Sequence, residues 1–209
     1  MLISIVYDSG CGHTARQAHA VAAGVRELHG AKAKLIAVAD GPIAWKELET
    51  SDAIIFGSPT YNGSLSATLK RFFEDSTTPV WRELKWRNKI AAGFTNSGAQ
   101  SGDKLSTLIS MALFAAQHAM IWVGLDLLPG NASSKGSTSD LNRLGSWLGA
   151  MAQSNVDEGP EVAPPESDLK TAAHLGRRVA EITCRLHPMR PSTGKAPEQV
   201  AEVADELAS

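Results

Sequence analysis

Residues 9–15 read Ser-Gly-Cys-Gly-His-Thr-Ala and directly precede a predicted helix. Glycines let the backbone turn tightly, so several amide N–H groups and the helix N-terminus can face one anion. Ser9 and Thr14 add hydroxyl donors, and the segment contains no lysine. A polyphosphate site of the Walker type requires that lysine. The segment therefore predicts a site for a terminal phosphate monoester.

The same segment has two alternative interpretations. Gly10, Gly12 and Ala15 satisfy the loose dinucleotide pattern G-x-G-x-x-A. That pattern also needs an acidic residue about 20 positions further on, and Asp40, the nearest candidate, stands beyond that spacing. Two polar residues directly precede the glycines, where a dinucleotide-binding strand is apolar. The dinucleotide site is therefore the weaker alternative, and simple capping of the helix by a hydroxyl side chain is the other.

Two later segments have compositions that suit a flat ligand. In residues 57–64 (GSPTYNGS), Pro59 predicts a turn, Asn62-Gly63 tolerates positive φ, and Tyr61 offers the face of its ring. Residues 95–102 (TNSGAQSG) are small polar residues and glycines, whose backbone amides can bind the edge of a heterocycle and a polyol chain. Either segment alone is typical of a solvent-exposed loop. The three together predict one site for a flat, phosphorylated cofactor.

Short apolar runs alternate with segments of helical periodicity, which indicates a parallel sheet flanked by helices. The predicted strands are residues 2–7, 34–38, 53–57, 89–95 and 120–123, and the main predicted helices are residues 14–29, 65–73, 105–118 and 169–186. In doubly wound sheets, ligands bind outside the carboxyl ends of the strands. The three segments follow the first, third and fourth strands, so we expect them to meet at that edge.

Bulk properties limit the possible functions. The chain has 209 residues, of which 43% are apolar, and suits one globular domain that needs no disulfide or metal for stability. We expect this domain to span residues 1–186, with a Pro-rich, charged extension at 187–209. A net charge of −2 argues against a nucleic-acid-binding face. The two cysteines are distant in sequence, which predicts free thiols in a reducing compartment and no metal site. The lack of a signal peptide or long apolar run predicts a cytoplasmic protein without membrane insertion.

The motifs resemble those of a known family. Residues 7–14 (YDSGCGHT), 54–73 (IIFGSPTYNGSLSATLKRFF), 95–102 and 117–120 (QHAM) carry the resemblance. They resemble flavodoxin-like FMN proteins, and most of all the tryptophan-repressor-binding-protein (WrbA) type of NAD(P)H:quinone oxidoreductases. The resemblance covers most of residues 1–125. It implies a flavodoxin-like, doubly wound, five-stranded parallel sheet of order 2-1-3-4-5 with helices on both faces, FMN as cofactor, and a homodimer or homotetramer.

The resemblance also assigns expected roles to individual residues. The FMN phosphate would be bound by Ser9, Cys11, Gly12, His13 and Thr14. One side of the isoalloxazine would be lined by Pro59, Thr60, Tyr61, Asn62 and Gly63. Its other edge and the ribityl chain would be bound by Thr95, Asn96, Ser97, Gly98, Ala99, Gln100 and Gly102. His118 would reach the flavin site in a catalytic role, and Trp81 would cover the substrate pocket.

The implied activity is two-electron reduction of a quinone by NAD(P)H, in a ping-pong sequence of hydride transfers for which the cofactor supplies the chemistry. The chain departs from the family by a shorter connection between strands two and three, and by residues 129–140 in place of a glycine-rich loop. One alternative is an electron-transfer flavodoxin acting with protein partners, although such carriers use a strongly acidic face. Another is a flavin-binding regulatory protein without turnover. His118 has its own alternative, a structural histidine at an interface.

Overall fold

A computed structural model of the chain describes residues 1–186. The predicted extension at 187–209 lies outside the described residues, so the predicted domain division stays a prediction. The strands are β1 (Leu2–Tyr7), β2 (Lys32–Ala37), β3 (Ala53–Tyr61), β4 (Ser64–Leu65), β5 (Ile90–Ser97), β6 (Ile121–Trp122) and β7 (Ala150–Gln153). The helices are α1 (His13–Arg26), α2 (Trp45–Thr50), α3 (Ala67–Asp75), α4 (Lys104–Gln117) and α5 (Glu166–Leu186), with a π-helical turn at Thr77–Trp81.

The sheet follows the order β2-β1-β3-β5-β6, and these neighbours are all parallel. β6 pairs with the first residues of β5, where Ile90 lies opposite Ile121. β7 pairs with the last residues of β5, where Phe94 lies opposite Ala150. The fifth strand of the predicted order is therefore present in two pieces, separated by residues 123–149. The predicted doubly wound parallel sheet is confirmed, and within residues 1–186 it has seven strands instead of five.

Helices cover both faces of the sheet, each over its own apolar cluster. On one face α1 and α5 are in close contact because both carry glycine at the crossing. A Cβ added to Gly24 would lie 1.8 Å from the carbonyl oxygen of Ala173, and one added to Gly176 would lie 2.0 Å from that of Val21. The opposite face is rich in aromatic residues and includes the fully buried Trp86. Two filled faces leave the strand ends as the place for a ligand.

Two strands are longer at their carboxyl ends than predicted. β3 continues to Tyr61 and β5 to Ser97, so the second and third predicted loops are partly strand. Pro59 lies opposite Asn96 in this extension, so the predicted turn at Pro59 is wrong. The predicted positive φ values at Asn62 and Gly63 are confirmed, at 49° and 82°. These residues form the two-residue turn of the β3–β4 hairpin, which favours such values.

Within residues 1–186, no helix combines the length and the apolar content needed to cross a bilayer.

Candidate functional site

A cleft of about 240 Å³ opens where β1, β3 and β5 end. It is lined by residues of all three predicted segments and by two residues that follow β7: Cys11, His13, Thr14, Pro59, Thr60, Tyr61, Asn96, Ser97, Gly98, Ser154 and Val156. The three segments therefore meet at one place, as their positions after parallel strands predict. A larger cleft of about 890 Å³ runs along α4, but none of the predicted phosphate-binding residues line it.

The first segment forms the N-terminal end of α1. Gly12 is the N-cap residue, with φ 86°, and no side chain caps the helix at this residue. The Ser9 hydroxyl accepts a hydrogen bond from the Ala15 amide at 3.0 Å, which fixes the loop on the helix. Within the described residues, the amide N–H groups from Cys11 to Thr14 have no acceptor. A row of such donors at the positive end of a helix dipole is a site for an anion.

A fourth segment, residues 154–160, closes the outer side of the phosphate loop. The His13 imidazole Nε2 lies 2.7 Å from the Glu158 carbonyl oxygen, and the Arg16 guanidinium donates to the Pro160 carbonyl oxygen at 2.8 Å. A Cβ added to Gly12 would lie 2.8 Å from Pro160 Cγ. In the sequence this segment is typical of a turn-rich loop, with Gly159-Pro160 as its turn signal. The polar pair Ser154-Asn155 directly after β7 is too brief to indicate a ligand site from the sequence alone.

The second segment places an aromatic ring over the cleft. Tyr61 ends β3 and keeps 46% of its surface exposed. Its hydroxyl lies 2.5 Å from the position of a Cβ on Gly10, so a side chain at residue 10 would displace the ring. Burial of the phenol raises the pKa of Tyr61, and Cys11 and Asp8 act in the same direction. The phenol is therefore neutral at physiological pH and retains its O–H donor.

Buried hydroxyl groups support the floor of the cleft. The Thr60 hydroxyl lies 2.8 Å from that of Thr95 and 2.7 Å from that of Thr107, which ties β3 to β5 and to α4. The Asn96 carboxamide oxygen accepts a hydrogen bond from the Ser154 hydroxyl at 3.0 Å. These contacts hold the strand ends at a fixed separation, as a rigid ligand requires.

Several predicted cofactor-binding residues are near the cleft without lining it. They shape its backbone: Ser9 and Gly12 at the start of α1, Asn62 and Gly63 in the hairpin turn, Thr95 in the hydroxyl cluster, and Ala99, Gln100 and Gly102 in the turn before α4. Their roles toward a cofactor stay predictions.

His118 and Trp81 lie elsewhere in the chain's fold. Both line a separate cavity of about 520 Å³ beside α3 and α4. His118 directly follows α4, and its neighbour Ala119 accepts a hydrogen bond from the Asn88 amide, just before β5 begins. β5 spans 8 residues, or roughly 25 Å at 3.3 Å per residue. His118 is therefore at the opposite edge of the sheet from the cleft, and its catalytic role stays a prediction.

The contacts of His118 are those of a buried structural histidine. The imidazole is 3% exposed, its Nδ1 donates to the Phe114 carbonyl oxygen at 2.9 Å, and its Nε2 lies 3.0 Å from the Ser76 hydroxyl. The ring also packs against Trp86. Burial lowers the pKa of His118, and the bond to the Phe114 carbonyl opposes that shift.

We expect His118 to make the protein less stable in mild acid. Its folded-state pKa is below the unfolded value of about 6.5, so the unfolded chain takes up a proton first as the pH falls. The associated stability is present above about pH 6.5 and is lost below it. In His118→Gln the free energy of unfolding should depend less on pH between 5 and 7, as measured by urea denaturation. The exposed His29 supplies the control variant His29→Gln; equal pH slopes in wild type and His118→Gln would contradict the prediction.

The residues of the cleft fit FMN. The unpaired amides of the first segment and the Thr14 hydroxyl suit a phosphate dianion, and α1 carries no acidic residue in its first turn. Tyr61 provides a flat face beside them. The cleft, at about 240 Å³, is smaller than a typical enclosed ligand pocket of about 300–1,000 Å³.

Comparisons with known proteins agree with this site. A family profile described as "NADPH-dependent FMN reductase" matches residues 8–132, more than half of the chain. Among curated proteins, the chain is 42% identical to "Flavodoxin FldP" of Pseudomonas aeruginosa, over 88% of this chain and 97% of that protein. It is 34% identical to an "NAD(P)H dehydrogenase (quinone)" of Geobacter sulfurreducens, over 90% of this chain and all of that protein (100%).

Among solved structures, the chain is similar to a WrbA-like flavodoxin from Agrobacterium tumefaciens, with a TM-score of 0.67 and 35% identity, covering 88% of this chain and 98% of that one. An oxidised flavodoxin from Bacillus cereus has a TM-score of 0.58 at 16% identity and supports the fold alone. These matches confirm the predicted flavodoxin-like family, the oxidoreductase class and FMN as its cofactor. The chain belongs to the NADPH-dependent FMN reductase family and is an FMN-dependent oxidoreductase with a flavodoxin-like fold.

Proposed function

We propose that the protein is an NAD(P)H:quinone oxidoreductase that reduces its quinone by two electrons in a ping-pong sequence. The observation that carries the proposal is the meeting of three segments around an open cleft with an exposed aromatic residue, Tyr61. FMN, when bound, supplies the hydride chemistry. The chain's own residues bind the phosphate at α1, flank the ring at the β3–β4 hairpin and hold its edge at the turn after β5. The accessible face can admit a nicotinamide and a quinone in turn.

Two properties support the enzymatic proposal over simple electron carriage. Relatives that share 34% and 38% identity with the chain are named NAD(P)H dehydrogenase (quinone). The net charge of −2 also provides little of the acidic surface that steers a carrier onto protein partners.

An electron-transfer flavodoxin is the second candidate, because the relative with 42% identity is named a flavodoxin. The two candidates differ in their response to reduced nicotinamides. A carrier receives electrons from a protein and has no need of a nicotinamide site. Rapid anaerobic bleaching of the flavin absorbance on mixing with NADH or NADPH would favour the enzyme, and its absence would favour the carrier.

Steady-state kinetics test the proposed reaction. We expect quinone-dependent oxidation of NADH or NADPH, with parallel double-reciprocal lines as the quinone concentration is varied. Free FMN at the same concentration is the control for chemistry that needs no protein. Intersecting lines would overturn the ping-pong order, and a rate no higher than that of free FMN would overturn the activity.

We also propose that the protein is a cytoplasmic homodimer or homotetramer. Leu105, Ile109 and Leu113 lie at helical spacing on α4 and are 53%, 44% and 62% exposed, which is unusual for large apolar residues on a monomer. Cys11 and Cys184 are unpaired, as a reducing compartment favours. Sedimentation equilibrium tests the assembly, and a monomer at micromolar concentration would contradict it.

A further inference from the structure

Lys104 is an unusual charged residue, because it is the first residue of α4 and is 0% exposed. Lysine is almost never fully buried unless its ammonium has partners. Here the partners come from the last residue of β5 and from the turn that joins β5 to α4. The ammonium donates to the Ser97 hydroxyl oxygen at 2.8 Å, to the Ala99 carbonyl oxygen at 2.8 Å and to the Gln100 carbonyl oxygen at 2.7 Å.

These contacts use the whole donor capacity of the side chain, since an ammonium has three N–H groups. The Ser97 hydroxyl donates in turn to the Ala99 carbonyl oxygen at 2.9 Å. Residues 97–100 therefore curve around the ammonium. No other described side chain donates to the carbonyl oxygens of Ala99 and Gln100 in this turn.

The contacts also fix the direction of two amide groups. A trans peptide is planar, and its N–H points opposite to its C=O. The carbonyls of Ala99 and Gln100 point inward to Lys104, so the N–H groups of Gln100 and Ser101 point outward from the turn. The Ser97 hydroxyl also holds the Ala99 carbonyl, but among the described side chains Lys104 alone donates to the Gln100 carbonyl and joins the two.

The turn adopts a conformation that needs such support. Gly102 and Asp103 both have a φ of 54°, in the left-handed region that residues other than glycine rarely adopt. A Cβ added to Gly102 would lie 2.0 Å from the Ser97 hydroxyl oxygen. Left-handed residues of this kind cost free energy and persist when their surroundings hold them.

We propose that Lys104 is a positioning residue for the flavin: its ammonium holds the turn at residues 97–101 so that outward amides bind the ring edge and ribityl chain. This proposal rests on the proposed FMN site. It gives a buried residue a role in flavin binding, in addition to the roles of the residues that line the cleft. Lys104 itself does not touch the cofactor.

The protonation state of Lys104 gives the proposal a second readout. Burial lowers the pKa of Lys104 to about 8; the carboxylate of Asp168 opposes that shift, and the guanidinium of Arg143 adds to it. Above that pH the neutral amine has only two N–H donors for its three acceptors. FMN affinity should therefore fall as the pH rises from 7 to 9.5.

The first test measures the dissociation constants of FMN and riboflavin by quenching of flavin fluorescence at pH 7. Lys104→Met keeps an unbranched side chain, one atom shorter, and removes its donors. We expect both flavins to bind at least about tenfold more weakly, by a similar factor, because the turn serves the parts that they share. The exposed Lys170, which pairs with Glu166 on the surface, supplies the control Lys170→Met, which should leave both constants unchanged.

The second test is the pH profile, and it remains decisive if Lys104→Met fails to fold. The profile is measured with riboflavin, which makes no use of the phosphate loop, where the exposed Cys11 lies. We expect about a threefold loss of riboflavin affinity between pH 7 and 9.5. A flat profile, or unchanged constants in Lys104→Met, would overturn the role of Lys104 while leaving the FMN site intact. Failure of the wild type to bind FMN would instead overturn the proposed function.

Discussion

We expect Asp168→Asn to destabilise the protein strongly. The Asp168 carboxylate accepts two hydrogen bonds from the Arg143 guanidinium, both at 2.8 Å, and one from the Gln153 amide at 2.9 Å. The Asp168 side chain is only 2% exposed and the Arg143 side chain only 7%. Removing the carboxylate charge leaves the Arg143 cation buried without its partner, which costs about 3–5 kcal/mol. For a chain of this size, the melting temperature should fall by roughly 6–20 °C.

The same substitution should weaken flavin binding, because the ion pair supports the cleft from behind. Arg143 also donates to the Gln153 carboxamide oxygen at 3.3 Å, and that carboxamide donates to the Gly98 carbonyl oxygen at 2.9 Å. Arg143 lies in residues 123–149, which separate β6 from β7. It therefore supports the third segment of the site through the Gln153 carboxamide.

Glu166→Gln is the matched control for Asp168→Asn. Glu166 lies in the same first turn of α5 and pairs with Lys170 at 3.8 Å, but their side chains are 69% and 65% exposed. An exposed pair of this kind contributes about 0–1 kcal/mol. Calorimetry of the three proteins would contradict the account if the two variants melted at the same temperature.

We expect Gly12→Ala to cause a selective loss of FMN affinity. Gly12 has φ 86°, where an alanine costs about 1–2 kcal/mol, and the added Cβ would lie 2.8 Å from Pro160 Cγ. The phosphate loop relieves the strained φ and the contact with Pro160 by moving. Its amide groups are then no longer in place to bind the phosphate. FMN should bind at least about tenfold more weakly, with little change for riboflavin, which lacks the phosphate.

Gly30→Ala is the control variant, because it introduces backbone strain without a steric contact and away from the phosphate loop. Gly30 has φ 80°, but no atom lies within 4 Å of an added Cβ, and it is in the connection between α1 and β2. The variant should lose stability by about 1 kcal/mol and keep its FMN affinity. Equal FMN affinities in wild type and Gly12→Ala, measured by fluorescence titration, would contradict the assignment of the phosphate loop.

Local chemistry explains which features could be predicted from the sequence. The positive φ values of Asn62 and Gly63 follow from residue type, and the positions of the three segments follow from the geometry of parallel sheets. The hairpin turn confirms the positive φ values, and the shared cleft confirms that the three segments meet.

Features that depend on distant contacts could not be predicted. β7 is 4 residues long and is defined by its pairing with β5, across residues 123–149. The roles of Ser154 and Val156 depend on that pairing. His118 illustrates another limit: a motif places it at the end of a helix, but only the fold shows which edge of the sheet that end reaches.

The most direct test of the central claim is a fluorescence titration of the flavin-free protein with FMN and with riboflavin. We expect saturable quenching with one FMN per chain, and riboflavin binding at least about 100-fold weaker, because charge-assisted bonds to the phosphate at the start of α1 are lost. Absence of saturable FMN binding, or equal affinity for FMN and riboflavin, would contradict it.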